Sequence, residues 1–113
     1  MLTIEKLNAF GADTKTGLTR CVNNEALYLR LVGMVPTNNG FNSLYEAIKN
    51  NDLDGAFSAA HGLKGILANL ALSPLSDPVV ILTDFLRMKK DVDYSSYLKE
   101  IEEKRKELEE LCK

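Results

Sequence analysis

The spacing of the apolar residues constrains this chain most. They recur every three or four positions along almost its whole length and nowhere alternate with a period of two. The first pattern belongs to amphipathic helices and the second to half-buried strands, so the chain reads as all-α. Glycine and proline punctuate the pattern. A first helix is predicted from about Thr3 to Phe10, with Gly11 as its stop. A second pattern opens near Gly17, restarts at Asn24 and runs through Leu27, Tyr28, Leu31 and Val32 to Val35, where Pro36 ends it. Asn38, Asn39 and Gly40 read as a turn, and Leu44, Tyr45 and Ile48 mark a third helix ending near Asn50. Asp52 is placed to cap a long helix reaching Leu72. Ser73-Pro74 and Asp77-Pro78 both resemble helix starts; one opens an irregular first turn of a helix that then runs from Val79 to Arg87. Asp93 caps the last helix, where Tyr94, Tyr97, Leu98, Ile101, Leu108 and Leu111 form an apolar stripe beside a face of Glu and Lys. The architecture expected is one domain, residues 1–113: an antiparallel four-helix bundle with short additional helices near its N-terminus.

Composition narrows the function. With 45% hydrophobic and 27% charged residues, the chain suits a globule with a modest core rather than a disordered segment. A formal charge of −2 argues against a nucleic-acid-binding role. The longest apolar run, Val79 to Leu82, is far short of the ~20 residues a membrane helix needs. No charged-then-apolar segment opens the chain, so a cytoplasmic location is expected. Cys21 and Cys112 cannot form a disulfide framework or a zinc site; Cys21 lies on an apolar stripe and reads as core, Cys112 as an exposed thiol. With one His and no acidic cluster, no metal or cofactor site is expected.

The single histidine, His61, decides the functional reading. On a wheel of ~100° per residue, Leu70 falls about opposite His61, with Leu63 and Ala56 within ~40° of it and Ala59, Ile66 and Leu67 within ~60°. Those residues form the predicted core stripe, so His61 faces solvent beside Asp54, Phe57, Lys64, Gly65 and Ala68. Gly62 and Gly65 interrupt this strong helix, each at a cost of ~0.8–1 kcal/mol relative to Ala. A purely structural helix gains nothing from them. Gly65, one turn from His61, clears the surface beside the imidazole, and Lys64 can reach a group attached to the ring. An exposed imidazole is mostly neutral at cytoplasmic pH and needs no general base to act as a nucleophile. Phosphoryl transfer has a loose transition state, for which positioning and a nearby cation matter most. Nothing here could bind ATP, because the chain has no Gly-rich phosphate loop, so the phosphoryl group would come from a partner.

Ala60-His61-Gly62-Leu63-Lys64-Gly65, followed by Asn69-Leu70, resembles the histidine phosphotransfer motif A-H-x-L-K-G-x-x-x-N-L-G. The helix pattern resembles such a domain from Gly17-Leu18 to the last helix. The resemblance implies a four-helix bundle that carries phosphate between receiver-domain aspartates in a multistep phosphorelay. It makes His61 the phosphoacceptor, Lys64 the phosphate-side cation and Gly65 the clearance residue. The implied partners are response-regulator receiver domains or a hybrid sensor kinase, with Mg supplied by the receiver; a free-standing monomer is expected. The sequence departs from the motif at Ala71, where Gly is frequent, and at Ile66, where a small residue is usual. It departs again at Thr83, where many members carry Gln or Glu near the imidazole; a threonine hydroxyl there is a candidate hydrogen-bond partner for the ring. The rival reading is a helical adaptor in which His61 does no chemistry. A sensor-kinase dimerisation region fits less well, because Gly62 and Lys64 stand where an acid and a Pro would follow the His.

Overall fold

The computed structural model describes residues 1–113 as seven helices and no strand. They are α1 (Ile4–Phe10), α2 (Thr14–Arg20), α3 (Glu25–Gly33), α4 (Asn39–Lys49), α5 (Leu53–Asn69), α6 (Ser73–Arg87) and α7 (Ser95–Leu111). Five begin at a polar side chain that accepts a free first-turn amide: Thr3, Asp13, Asn24, Asn38 and Asp52. Asp93 does the same for α7, its carboxylate accepting from the Ser95 amide at 3.0 Å. The restart at Asn24 therefore separates two helices, as the sequence suggests.

Two expectations need correction. Asn39 and Gly40 form the first turn of α4 rather than a loop, because Asn38 caps the Gly40 amide at 2.7 Å. Helix α6 begins at Ser73 and carries Pro78 inside it, although the sequence favours a regular start at Val79. The amides of Leu75 and Ser76 both bond the Leu72 carbonyl, at 2.9 and 2.8 Å, which secures the first turn ahead of the proline.

Helix α5 is the central element: it packs between α4 and α6, and α7 covers α6. The connections Asn50–Asp52 and Leu70–Leu72 are too short to cross the bundle, so consecutive helices run antiparallel. Ala56, Ala60, Leu63 and Leu67 of α5 meet Phe41 and Leu44 of α4 and Leu75, Val79, Leu82 and Leu86 of α6 in one continuous core. Cys21 belongs to that core, and Cys112 is half-buried rather than exposed. No helix is long and apolar enough to cross a membrane.

The short N-terminal helices close the C-terminal end of α5, where a helix leaves carbonyls without partners. The buried Tyr28 hydroxyl donates to the Leu70 carbonyl at 2.9 Å, and burial pushes its pKa up to about 12, so the proton stays in place. The Asp13 amide donates to the Ala71 carbonyl at 3.0 Å, and the Arg20 guanidinium donates to that of Ala68. The turn itself is a Schellman motif: the Leu72 amide returns to Leu67 and the Ala71 amide to Ala68, both at 3.0 Å. It holds Ala71 at φ +55°, in the left-handed region that glycine occupies more readily. The motif's frequent glycine at this position has its physical explanation there.

Two substitutions test the N-terminal closure. A Cβ on Gly17 would overlap the Tyr28 ring. Gly17→Ala should therefore lower stability by about 1–3 kcal/mol despite its better helix propensity. Val22 is a β-branched residue at φ +52° with its side chain 80% exposed, so it is strained and packs against little. Val22→Gly should raise stability by about 1 kcal/mol, read as a higher Tm. Equal melting temperatures for Val22→Gly and wild type would show that this turn stores no strain.

Candidate functional site

Helix α5 turns one side toward α4 and α6 and leaves the other in solvent. His61, Gly62, Gly65, Ala68 and Asn69 are exposed, and Lys64 is half-exposed. The wheel places His61 correctly. It misplaces Ile66, which is 40% exposed and lines a groove of about 280 Å³ with Leu31, Met34 and Asn69 rather than entering the core. The flank of α5 that carries Ile66 is only partly covered by α3, an element whose position a wheel cannot include.

Side chains on a helix lean back toward its N-terminus, over the residues three and four positions earlier. His61 therefore leans over Phe57, and the two rings stack with centroids 5.7 Å apart and planes at 27°. Lys64 stands three residues after His61, a neighbouring position on the helix surface. No salt bridge occupies Lys64, and no hydrogen bond engages either nitrogen of the His61 ring. A Cβ built on Gly62 or on Gly65 meets no atom within 4 Å, so the space beside the imidazole is open solvent.

Thr83 does not join the site. It is fully buried on α6, and its hydroxyl donates to the Val79 carbonyl at 2.6 Å. The expected hydrogen bond to the imidazole is absent: Thr83 is enclosed in the core, where a threonine on a helix satisfies its hydroxyl proton one turn back, while His61 is exposed.

Sequence reasoning missed what α6 contributes from its C-terminal end. The Arg87 guanidinium lies 5.8 Å from the centre of the Phe57 ring and pairs with Asp84 at 2.9 Å. Lys89 pairs with Asp54 at 3.2 Å, one turn before Phe57. An antiparallel hairpin folded about Ala71 sets the residues around 57 opposite those around 85, and that register was the available signal. The site thus presents one free imidazole on an open surface, with the unpaired Lys64 three residues on and the Arg87–Asp84 and Lys89–Asp54 pairs beside Phe57. It holds no group of three or more His, Cys, Asp or Glu side chains suited to a metal.

The family model of the Hpt domain matches residues 38–112, from the cap of α4 to the end of α7. The chain belongs to the Hpt domain family. No curated protein and no solved structure shows a significant match. The Hpt match covers the four long helices and leaves α1 to α3 outside it, a shorter span than the sequence resemblance suggested. Within that span lie His61, Lys64 and Gly65, on the exposed side of the Hpt domain's central helix.

Open space at Gly65 sets up a direct test of the Hpt surface. Gly65→Ala should raise stability by roughly 0.4–1 kcal/mol, through helix propensity and reduced unfolded-state entropy. A thermal melt checks it, and a lower Tm would mean that Gly65 is packed against something in solution.

Proposed function

We propose that this Hpt domain is a phosphohistidine carrier in a multistep His–Asp phosphorelay, with His61 as the phosphoacceptor. The observation that carries the reading is the unpartnered imidazole of His61, exposed beside the open surface at Gly65 and the unpaired Lys64. The donor is the acyl phosphate on a receiver-domain aspartate. The unprotonated ring nitrogen attacks phosphorus, an N–P bond forms, and the P–O bond to the aspartate breaks. Its electron pair stays on the leaving carboxylate, and the other ring nitrogen keeps its proton. The aspartate of a second receiver reverses the step and takes the phosphoryl group onward.

Lys64 offsets charge on the equatorial oxygens of the transferring group, the role for which a mobile ammonium suffices. Gly65 gives the receiver's backbone room to approach. Mg belongs to the receiver, whose acidic pocket would hold it. The protein works as a cytoplasmic monomer that engages one receiver at a time, or the receiver of a hybrid sensor kinase. Nucleic acid and membrane have no part in the reading.

Incubation with a phosphorylated receiver should place acid-labile phosphate on the wild-type protein and none on His61→Gln, with the two proteins melting at nearly the same temperature. Label that survives acid, or that persists in His61→Gln, would reject the assignment and leave a helical adaptor as the better reading. Lys64→Ala should slow transfer and Lys64→Arg should keep part of the rate. Gly65→Ala and then Gly65→Gln should transfer progressively more slowly while remaining folded.

A further inference from the structure

The imidazole of His61 lacks a hydrogen-bond partner to fix its orientation, and Thr83, fully buried on α6 with its hydroxyl donating to Val79, does not supply one. A nucleophilic ring that turns freely presents its reactive nitrogen only part of the time. One contact does constrain it: the stack on Phe57, with centroids 5.7 Å apart and a 27° angle between planes, inside the range of favourable offset stacking. Phe57 is in turn held. It is half-buried, packs against the core cluster, and has the Arg87 guanidinium 5.8 Å from its ring centre.

We propose that Phe57 is the positioning residue for His61, fixing the imidazole by stacking where a polar side chain would otherwise do so by hydrogen bonding. The arrangement suits the chemistry. A stack covers a π face, whereas the nucleophilic lone pair of an imidazole lies in the ring plane, so Phe57 restrains the ring without blocking attack. Nδ1 adjoins the carbon bonded to Cβ and lies near the helix backbone. Nε2 is the distal nitrogen, at the exposed end of the side chain, and a restrained ring keeps it away from the helix backbone. Arg87 steadies Phe57 from the neighbouring helix. This inference rests on His61 being the phosphoacceptor, and its test does not need a receiver.

Phosphoramidate is a small donor that transfers its phosphoryl group to imidazole nitrogen as the N–P bond forms, its own P–N bond breaks and ammonia leaves. Wild type, Phe57→Leu and Phe57→Tyr are treated with it; ³¹P spectra count the phosphohistidine isomers, and ¹H spectra follow the His61 ring protons. Wild type and Phe57→Tyr should give the Nε2 isomer alone, with His61 ring protons shifted upfield by the neighbouring aromatic ring. Phe57→Leu should lose that shift, form both isomers and react about two- to tenfold more slowly, the range a single aromatic contact covers. A Phe57→Leu protein with the wild-type isomer, rate and ring-proton shifts would overturn the proposal. So would a Phe57→Tyr protein as impaired as Phe57→Leu, because the stack would then not be the operative contact. If wild type takes phosphate from phosphoramidate with one isomer but never from a phosphorylated receiver, the phosphorelay reading fails and the role of Phe57 stands.

Discussion

The hydrogen bond from the buried Tyr28 hydroxyl to the Leu70 carbonyl joins the two parts of this molecule. It lies at the C-terminal end of α5, where the helix has run out of internal donors for its carbonyls. Tyr28 and the Asp13 amide supply two such donors, to Leu70 and Ala71, and Arg20 adds a second donor to Ala68, all from segments that precede the four-helix core. A buried carbonyl left without a donor costs about 1–3 kcal/mol, a large share of a total stability of about 5–15. The N-terminal helices thus determine how firmly α5 ends, and α5 carries the reactive side chain. Gly17 belongs to the same arrangement, since the Tyr28 ring occupies the place its side chain would take.

The opposite face of α5 follows a different logic. Its inner positions are filled by Ala56, Ala60, Leu63 and Leu67, all buried, and its outer positions carry two glycines that touch nothing. Each glycine costs the helix ~0.8–1 kcal/mol, and no packing offsets it. The helix persists because burial against α4 and α6 dominates its energetics, as tertiary packing does for most protein helices. Stability supplied on one face lets the other be shaped by what must approach it.

Much of this was legible in sequence. The helical period is strong, polar residues stand at the cap positions, and the orientation of His61 follows from 3.6-residue geometry alone. The failures share a cause. Pro78 reads as a helix start because local rules allow no proline inside a helix, yet the Leu72 carbonyl secures the turn before it. Four helix ends close through residues other than glycine in the left-handed conformation: Val22, Asn51, Ala71 and Lys89. Gly11 and, less strongly, Asn51 announce their turns by residue type. Ile66 and Thr83 were misjudged because burial on a helix flank and hydrogen bonding inside α6 depend on neighbours distant in sequence. Arg87 and Phe57 meet only when the α5–α6 hairpin is folded in register.

That same hairpin arranges the charges beside the site. A formal charge of −2 would by itself repel an anionic group. The Glu-rich face belongs to α7, whereas Arg87, Lys89 and Lys90 stand where α6 ends, opposite the start of α5 and among Asp54, Asp84, Asp91 and Asp93. Their pairings with Asp84 and Asp54 are exposed, and exposed pairs hold side chains loosely, at about 0–1 kcal/mol each. Lys64, three residues after His61 on α5, is in no salt bridge, whereas Arg87 and Lys89 are each paired with a carboxylate. The antiparallel fold brings the Arg87–Asp84 and Lys89–Asp54 pairs beside Phe57, and it does so through the register of one three-residue turn.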